Sequence, residues 1–323
     1  MQPSAALHAL LADPAALQNA QERHAAALAA WRAEPAVAAV LEAFAAYARG
    51  TALSALPALA RLFAADAGGV AAFAGSLAAH MLPALAAAPL GQVPLRHASE
   101  RAHAALLLAR EGDAALNLVA FDGAALARAA DARSVAFATG EEWDAVVSGH
   151  GAARLIQRRD NRLVLHPLRL APGIALGRDG EREALLIDAA EPGRGLVLLR
   201  LQRRTPGTIP VREYDLASGA LIHQADPAPR TSRHEVAIAL LGRMGGTDAA
   251  PLLAEMTGET DRGESLRWHA LRECLGLDTA LGFRALTAIA RAAGDPLSHP
   301  AGALRAQLLE QHPVLAEIAP CPA

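Results

Sequence analysis

The chain contains no lysine: all 30 of its basic residues are arginine. Aromatic residues make up 3% of its 323 positions, although apolar residues together reach 53%. Alanine supplies much of that apolar total. A GC-rich coding bias accounts for both excesses, so neither is read as function, and helix propensity is a weak guide where alanine stands in loops as well. Two cysteines, Cys274 and Cys321, are too few for a disulfide framework or a zinc knuckle. Cys274 falls in a helical pattern and reads as a small buried apolar residue. The strong catalytic signatures are also missing: no GxxxxGK[ST] loop, GxGxxG, CxxC, HExxH or GxSxG occurs, which removes the chemistries those patterns spell. The stretch MQPSAALHALLADPAAL lacks a basic n-region and meets Asp13 early, so no secretory leader is expected and the cytoplasm is the expected location.

Charge is absent from one long segment. Ala67 to Leu95 runs 29 residues without Asp, Glu, Arg or Lys, enough to span a bilayer. Its content is mainly Ala and Gly, Pro83 and Pro89 interrupt it, and only Asp66 and Arg96 flank it. With no positive cluster or aromatic belt at its ends, it reads as a core helix and not as a membrane contact.

The texture changes twice along the chain, and the length has room for two or three domains. Residues 1–95 are read as helical: apolar positions recur at three and four in AALHALLA, ERHAAALAAWRAE, AVAAVLEAFAAYARG and ALPALARLFAAD. Pro14, Pro35 and Pro57 stand near the starts of these runs, where a missing N–H costs least. Trp31, Phe44, Tyr47, Phe63 and Phe73 are the large side chains available to fix packing. Residues 96–228 alternate instead. Short apolar segments such as SVAFA, RLVLHPLRL and GLVLLRLQR are separated by turn chemistry, including Glu111-Gly112-Asp113 and Glu191-Pro192-Gly193. Eight to ten such strands predict an antiparallel sandwich or barrel. In residues 229–323 the helical period returns, and two stretches superimpose at an offset of 30: Leu241 on Leu271, Gly246 on Gly276, Asp248 on Asp278. Each unit reads as a helix, a turn ending in an N-capping Asp, and a second helix. These units resemble HEAT-like helical repeats, which implies stacked helix pairs sharing a core.

The segment LAPGIALGRDGEREALLID, Leu170 to Asp188, carries a Pro-Gly turn, an extended segment and an apolar strand. From Pro172-Gly173 onward it resembles the jelly-roll scaffold of the cupins. In a metal-binding cupin that resemblance implies a His-x-His pair followed by a carboxylate. This chain has Leu176, Gly177 and Arg178 there, and His-x-His occurs nowhere in it. The metal ligands therefore do not carry over. The expected fold is α+β and multidomain: a helical N-terminal segment, a central antiparallel β-sandwich or barrel, and a C-terminal HEAT-like stack.

Other pairings read as structure. His234-Glu235 has no second His four residues on, and with Thr231 or Ser232 it suits a helix start. Ser148 and His150 in SGHG lack an orienting acid and an oxyanion site, so a turn is expected.

Charge segregation is more informative. Residues 151–212 hold 12 Arg against 6 acidic residues, while the whole chain carries −3. On strand LVLLRLQR, Leu196, Leu198, Arg200 and Gln202 share one face. An Arg on an apolar face needs an anionic partner, either internal, with Glu213 or Asp188 as candidates, or a bound carboxylate, phosphate or acidic peptide. Arg158, Arg200 and Arg212 are the expected ligand-binding residues, and no cofactor is expected. The basic segment has no aromatic residue for base stacking and the chain is slightly acidic, so nucleic acid is not expected. The expected function is that of a non-catalytic binding or accessory protein whose helical parts engage a protein partner. The alternative is a cupin-type oxygenase or isomerase with a divalent metal on scattered histidines, namely His150, His166 and His223.

Overall fold

The computed structural model describes residues 14–65, 67–89, 91–160, 162–205, 209–225 and 229–318. The helix expected over AALHALLA, the turn residues Asn161, Pro206, Gly207, Asp226 and Pro227, and Cys321 lie outside them. The architecture is α+β with antiparallel sheets. Packing divides the chain into two compact units, residues 1–206 with 212–223, and residues 207–211 with 224–323.

The first unit begins with helices α1 (Pro14–Ala33), α2 (Pro35–Ala48), the single turn α3 (Pro57–Ala60) and α4 (Ala67–Ala87). Proline opens three of the four, as the missing N–H allows. Along α4 the residues Val70, Phe73, Leu77, Met81 and Ala84 are buried, a stripe at helical spacing. Trp31 packs against Phe73 and donates to Ser76 Oγ at 2.9 Å. Pro83 does not end this helix, which runs on to Ala87. Buried His24 reaches the Ala84 carbonyl from α1 at 3.2 Å, tying down that last turn. By length and composition Gly68–Ala87 is also apolar enough to cross a membrane, and 28% of its most apolar window is buried.

Twelve strands follow among the described residues. A six-stranded sheet has the order β1 (His97–Ser99), β2 (His103–Glu111), β3 (Ala114–Phe121), β10 (Leu196–Arg204), β5 (Gly140–Gly149), β8 (Ala175–Asp179). A second sheet is β7 (Arg162–Leu170), β6 (Gly151–Arg159), β9 (Glu183–Ala190), and a third is β12 (Leu221–Ala225), β11 (Val211–Asp215), β4 (Ser134–Phe137). The short helix α5 (Gly123–Leu126) starts at Asp122, whose side chain accepts from Ala125 N. Gly112, at φ +52°, makes the expected β2–β3 hairpin turn without a Cβ penalty. β1 goes beyond the strands read from the sequence, and β8 falls in the extended segment after the Pro-Gly turn.

The central strand β10 is covered on both faces. Leu199 and Leu201 share a core with Trp31, Phe44, Tyr47 and Phe63 of the helices. Leu196 and Leu198 face the other way, clustering with Val146, Ala153, Leu170 and Ala190 from β5, β6, β7 and β9. The expected boundary at 95/96 is therefore not a seam in the packing: the N-terminal helices and the large sheet bury one core. Ile156 and Leu186 on the far face of the second sheet pack on Val135, Phe137 and Tyr214 of the third.

The second unit holds α6 (Pro229–Met244), α7 (Ala250–Gly258), α8 (Glu264–Leu277), α9 (Thr279–Arg291) and α10 (Ser298–Gln311). Leu271 is 1% exposed and sits with Phe283, Leu286 and Ile289. Leu241, its counterpart at the offset of 30, is only half-buried. The two turns also differ. Asp278 caps α9 by accepting from Leu281 N at 2.9 Å. Asp248 lies in a single 3-10 turn, and α7 has Ala249 at its N-cap position with no side-chain cap. Thr231 and Ser232 lie inside α6 and not at its start, and Glu235 accepts from Ser265 Oγ.

Candidate functional site

Arg200 is paired, and its partner is neither Glu213 nor Asp188. Antiparallel register sets Arg200 on β10 directly opposite Asp144 on β5. Arg200 Nε donates to Asp144 Oδ1 at 2.7 Å and Nη2 to Oδ2 at 3.2 Å. Asp188 is instead forked by Arg154, and Glu213 accepts from Ser134 Oγ. On its other side β5 pairs with β8, which brings Arg178 opposite Glu142. Arg178 Nη2 lies 2.7 Å from Asp144 Oδ2 and 2.6 Å from Glu142 Oε2. The sequence Leu176-Gly177-Arg178 is thereby explained in structural terms. Leu176 joins the apolar cluster between the sheets. Gly177 leaves room for the indole of Trp143, which a Cβ would meet at 2.5 Å. Arg178 reaches the buried carboxylate.

The four side chains form a charged quartet, with Asp144 and Arg178 buried and Glu142 and Arg200 partly exposed. Burial by itself pushes the Asp144 carboxyl up, but Arg200 and then Arg178 outweigh it and hold the group below the usual carboxylate range. Arg200 in turn is held more firmly protonated, chiefly by the Asp144 charge. Two guanidiniums face two carboxylates, so the formal charges cancel. The hydrogen bonds do not balance. Nε and Nη1 of Arg178 are buried without a partner, although only 2% of the side chain is exposed. Arg200 Nη1 makes no bond among the described residues.

Arg200 is 24% exposed because it lines a cavity of about 450 Å³ between β2, β3 and β10 on one side and β9 on the other. Asn117 and Gln202 join it as the polar lining, and Ala105, Val119, Leu126 and Leu185–Ile187 supply the apolar part. His103 and Phe121, paired across β2 and β3 with ring centroids 5.8 Å apart, line both this cavity and a second hollow of about 540 Å³. That hollow is bounded by the turns at Ser99–Ala102 and Gly193–Gly195 and carries Glu100, Arg101, Asp122 and Arg194. The size and mixed lining of the inner cavity suit a small molecule.

The other expected site residues lie apart from it. Arg158, on β6, donates to the Glu181 carbonyl and stands 5.9 Å from the Tyr214 ring centre. Arg212, on β11, sits opposite Phe137 in the third sheet with no polar partner among the described residues. The alternative metal ligands do not converge either. His150 is in the β5–β6 turn beside Glu191, His166 on β7 contacts Gln157, and exposed His223 is on β12. Among the described residues no three His, Cys, Asp or Glu side chains are grouped to hold a metal. Sequence reading missed Asp144, Asn117 and His103 as lining or support.

No protein-family profile matches the chain, and no curated protein matches it by sequence. Solved structures similar to its central β region are cupin-superfamily proteins. Among them are a cupin superfamily protein from Desulfitobacterium hafniense (17% identity, 33% of this chain, 83% of that chain, TM-score 0.23) and KdgF from Halomonas sp. (20% identity, 34% and 86%, TM-score 0.25). Vicilin from hazelnut, Corylus avellana, is also similar (12% identity, 37% and 32%, TM-score 0.26). The chain thus spans about a third of the vicilin's length. At these scores the likeness carries no weight for activity.

Proposed function

We propose that this is a non-catalytic binding protein whose cupin-like β-sandwich takes an anionic small molecule between its sheets, with Arg200 as the anchor. One observation carries this: a guanidinium held in place by buried Asp144 lines a half-apolar cavity and keeps Nη1 unspent. A pre-positioned Arg is suited to a carboxylate or phosphate because its fork is planar and always charged. A protein partner belongs to the same proposal, on the HEAT-like reading of the second unit. In support, α6 leaves Val236, Leu240 and Met244 exposed at 67%, 57% and 71%, spaced four residues apart. The metal-enzyme alternative needs a ligand set that the described histidines do not assemble. The test is calorimetric titration of the full chain with a panel of small carboxylates and phosphates, repeated on Arg200→Met. Binding that survives the substitution unchanged would remove Arg200 from the site. Stoichiometric iron, manganese or nickel in protein purified without a His-tag would favour the enzyme.

A further inference from the structure

The cavity restricts the kind of anion it can take. Asp144, Glu142, Arg178 and Arg200 cancel one another's charge, so no surplus positive charge waits for a ligand. A phosphate monoester carries nearly two negative charges at neutral pH, and bringing both into a half-apolar interior leaves them largely uncompensated. The hydrogen bonding of the quartet points the other way. Of its donors, Arg200 Nη1 stands at the cavity wall and is unspent. The amides of Asn117 and Gln202 add donors at the cavity wall. A head group that accepts several hydrogen bonds and carries at most one charge meets both conditions. Apart from His103 and Phe121, the rest of the lining is aliphatic, with Val119, Leu185 and Ile187 among it, and its natural occupant is a hydrocarbon body.

Resting on the anion-binding reading above, we infer that the ligand is a monocarboxylate with an aliphatic or aryl body, its carboxylate on Arg200 and its body along Val119 and Ile187. Nonpolar length adds affinity through buried area, and a charge-assisted hydrogen bond adds more than a neutral one.

The experiment titrates the full chain with octanoate, octanamide, octyl phosphate and acetate. Octanoate is expected to bind at least about tenfold more tightly than octanamide, the scale of a hydrogen bond to a charged group, and more tightly than octyl phosphate or acetate. Arg200→Met is expected to abolish the difference between octanoate and octanamide. If that variant fails to fold, Ala105→Phe narrows the apolar part without touching the quartet and is expected to shift preference from octanoate to butanoate. Octyl phosphate binding more tightly than octanoate, in an Arg200-dependent way, would overturn the monocarboxylate while leaving the anion cavity standing. Equal binding of octanamide and octanoate would overturn it too, as would acetate matching octanoate. Failure of all four to bind would remove both proposals together.

Discussion

Each unit of this protein contains an arginine paired to a largely buried aspartate, and the two differ in how many nitrogens they spend. In the helical unit, Arg267 is 2% exposed and each of its three nitrogens makes a hydrogen bond. Its Nε donates to the Thr257 carbonyl at 2.9 Å, and Nη1 and Nη2 fork the Asp295 carboxylate. Hydrogen bonding to Arg267 holds Asp295 below the usual carboxylate range. In the β unit, Arg200 spends two nitrogens on Asp144 and borders open space, while Asp144 also serves Arg178. A saturated guanidinium joins segments of chain. On the proposed reading, an unsaturated one beside a cavity is available for a ligand.

The strongest way to break this comparison is Arg267→Met. It leaves Asp295 without its partner, and stability should fall by about 3–5 kcal/mol in urea denaturation. A loss under about 1 kcal/mol would mean the pair is no tie at all. Next in size is Leu271→Ala, expected to cost about 2–5 kcal/mol as a core truncation. Leu241→Ala should cost less, since that side chain is only half-buried. Equal losses at the two positions would restore the strict repeat equivalence that burial denies. Arg200→Met should cost only about 0.5–2 kcal/mol, a moderate point-mutant effect, because Asp144 keeps Arg178. A loss as large as that of Arg267→Met would make Arg200 a structural tie.

Acid provides a gentler probe. Asp144 and Asp295 have folded pKa values below their unfolded ones, so the native state resists their protonation. Their stabilisation is complete above the ordinary aspartate range and is lost as pH falls below about 4. Replacing Asp144 by Asn should flatten the acid limb of the β unit and leave that of the helical unit unchanged, as read by the two units' unfolding signals. An unaltered β-unit limb would mean another carboxylate governs it. The smallest effect belongs to Arg212→Ala, expected within about 0.5 kcal/mol, since no polar partner holds that side chain among the described residues.

How much of this was legible beforehand follows from the range of each signal. Arg200 stood out because alternation along a strand is local, and Leu196, Leu198, Arg200 and Gln202 share a face whatever pairs with them. Its partner was hidden because Asp144 is 56 residues away, and strand order is a property of the whole sheet. The doubly buried nature of β10 was written in its nearly unbroken apolar run, the mark of a strand covered on both sides. Reading only one face of it concealed that the N-terminal helices close the other. The helical period of residues 229–323 was legible, and helices begin there at Ala250 and Thr279, 29 residues apart and not 30. It did not anticipate that Asp278 caps its helix while Asp248 does not, because a one-residue shift in the turn decides where a carboxylate points.

The place of β10 in the large sheet also governs the order in which the protein can be built. Leu196–Arg204 inserts between β3 and β5, strands made long before it during synthesis. Until it arrives, a nascent chain holds two apolar strands with adjoining edges open, the state most exposed to wrong pairing. Asp144 waits through the same interval for Arg200. The helical unit joins neighbours in sequence and forms its contacts as they emerge, so the β unit, with its long-range pairings, sets the pace of folding.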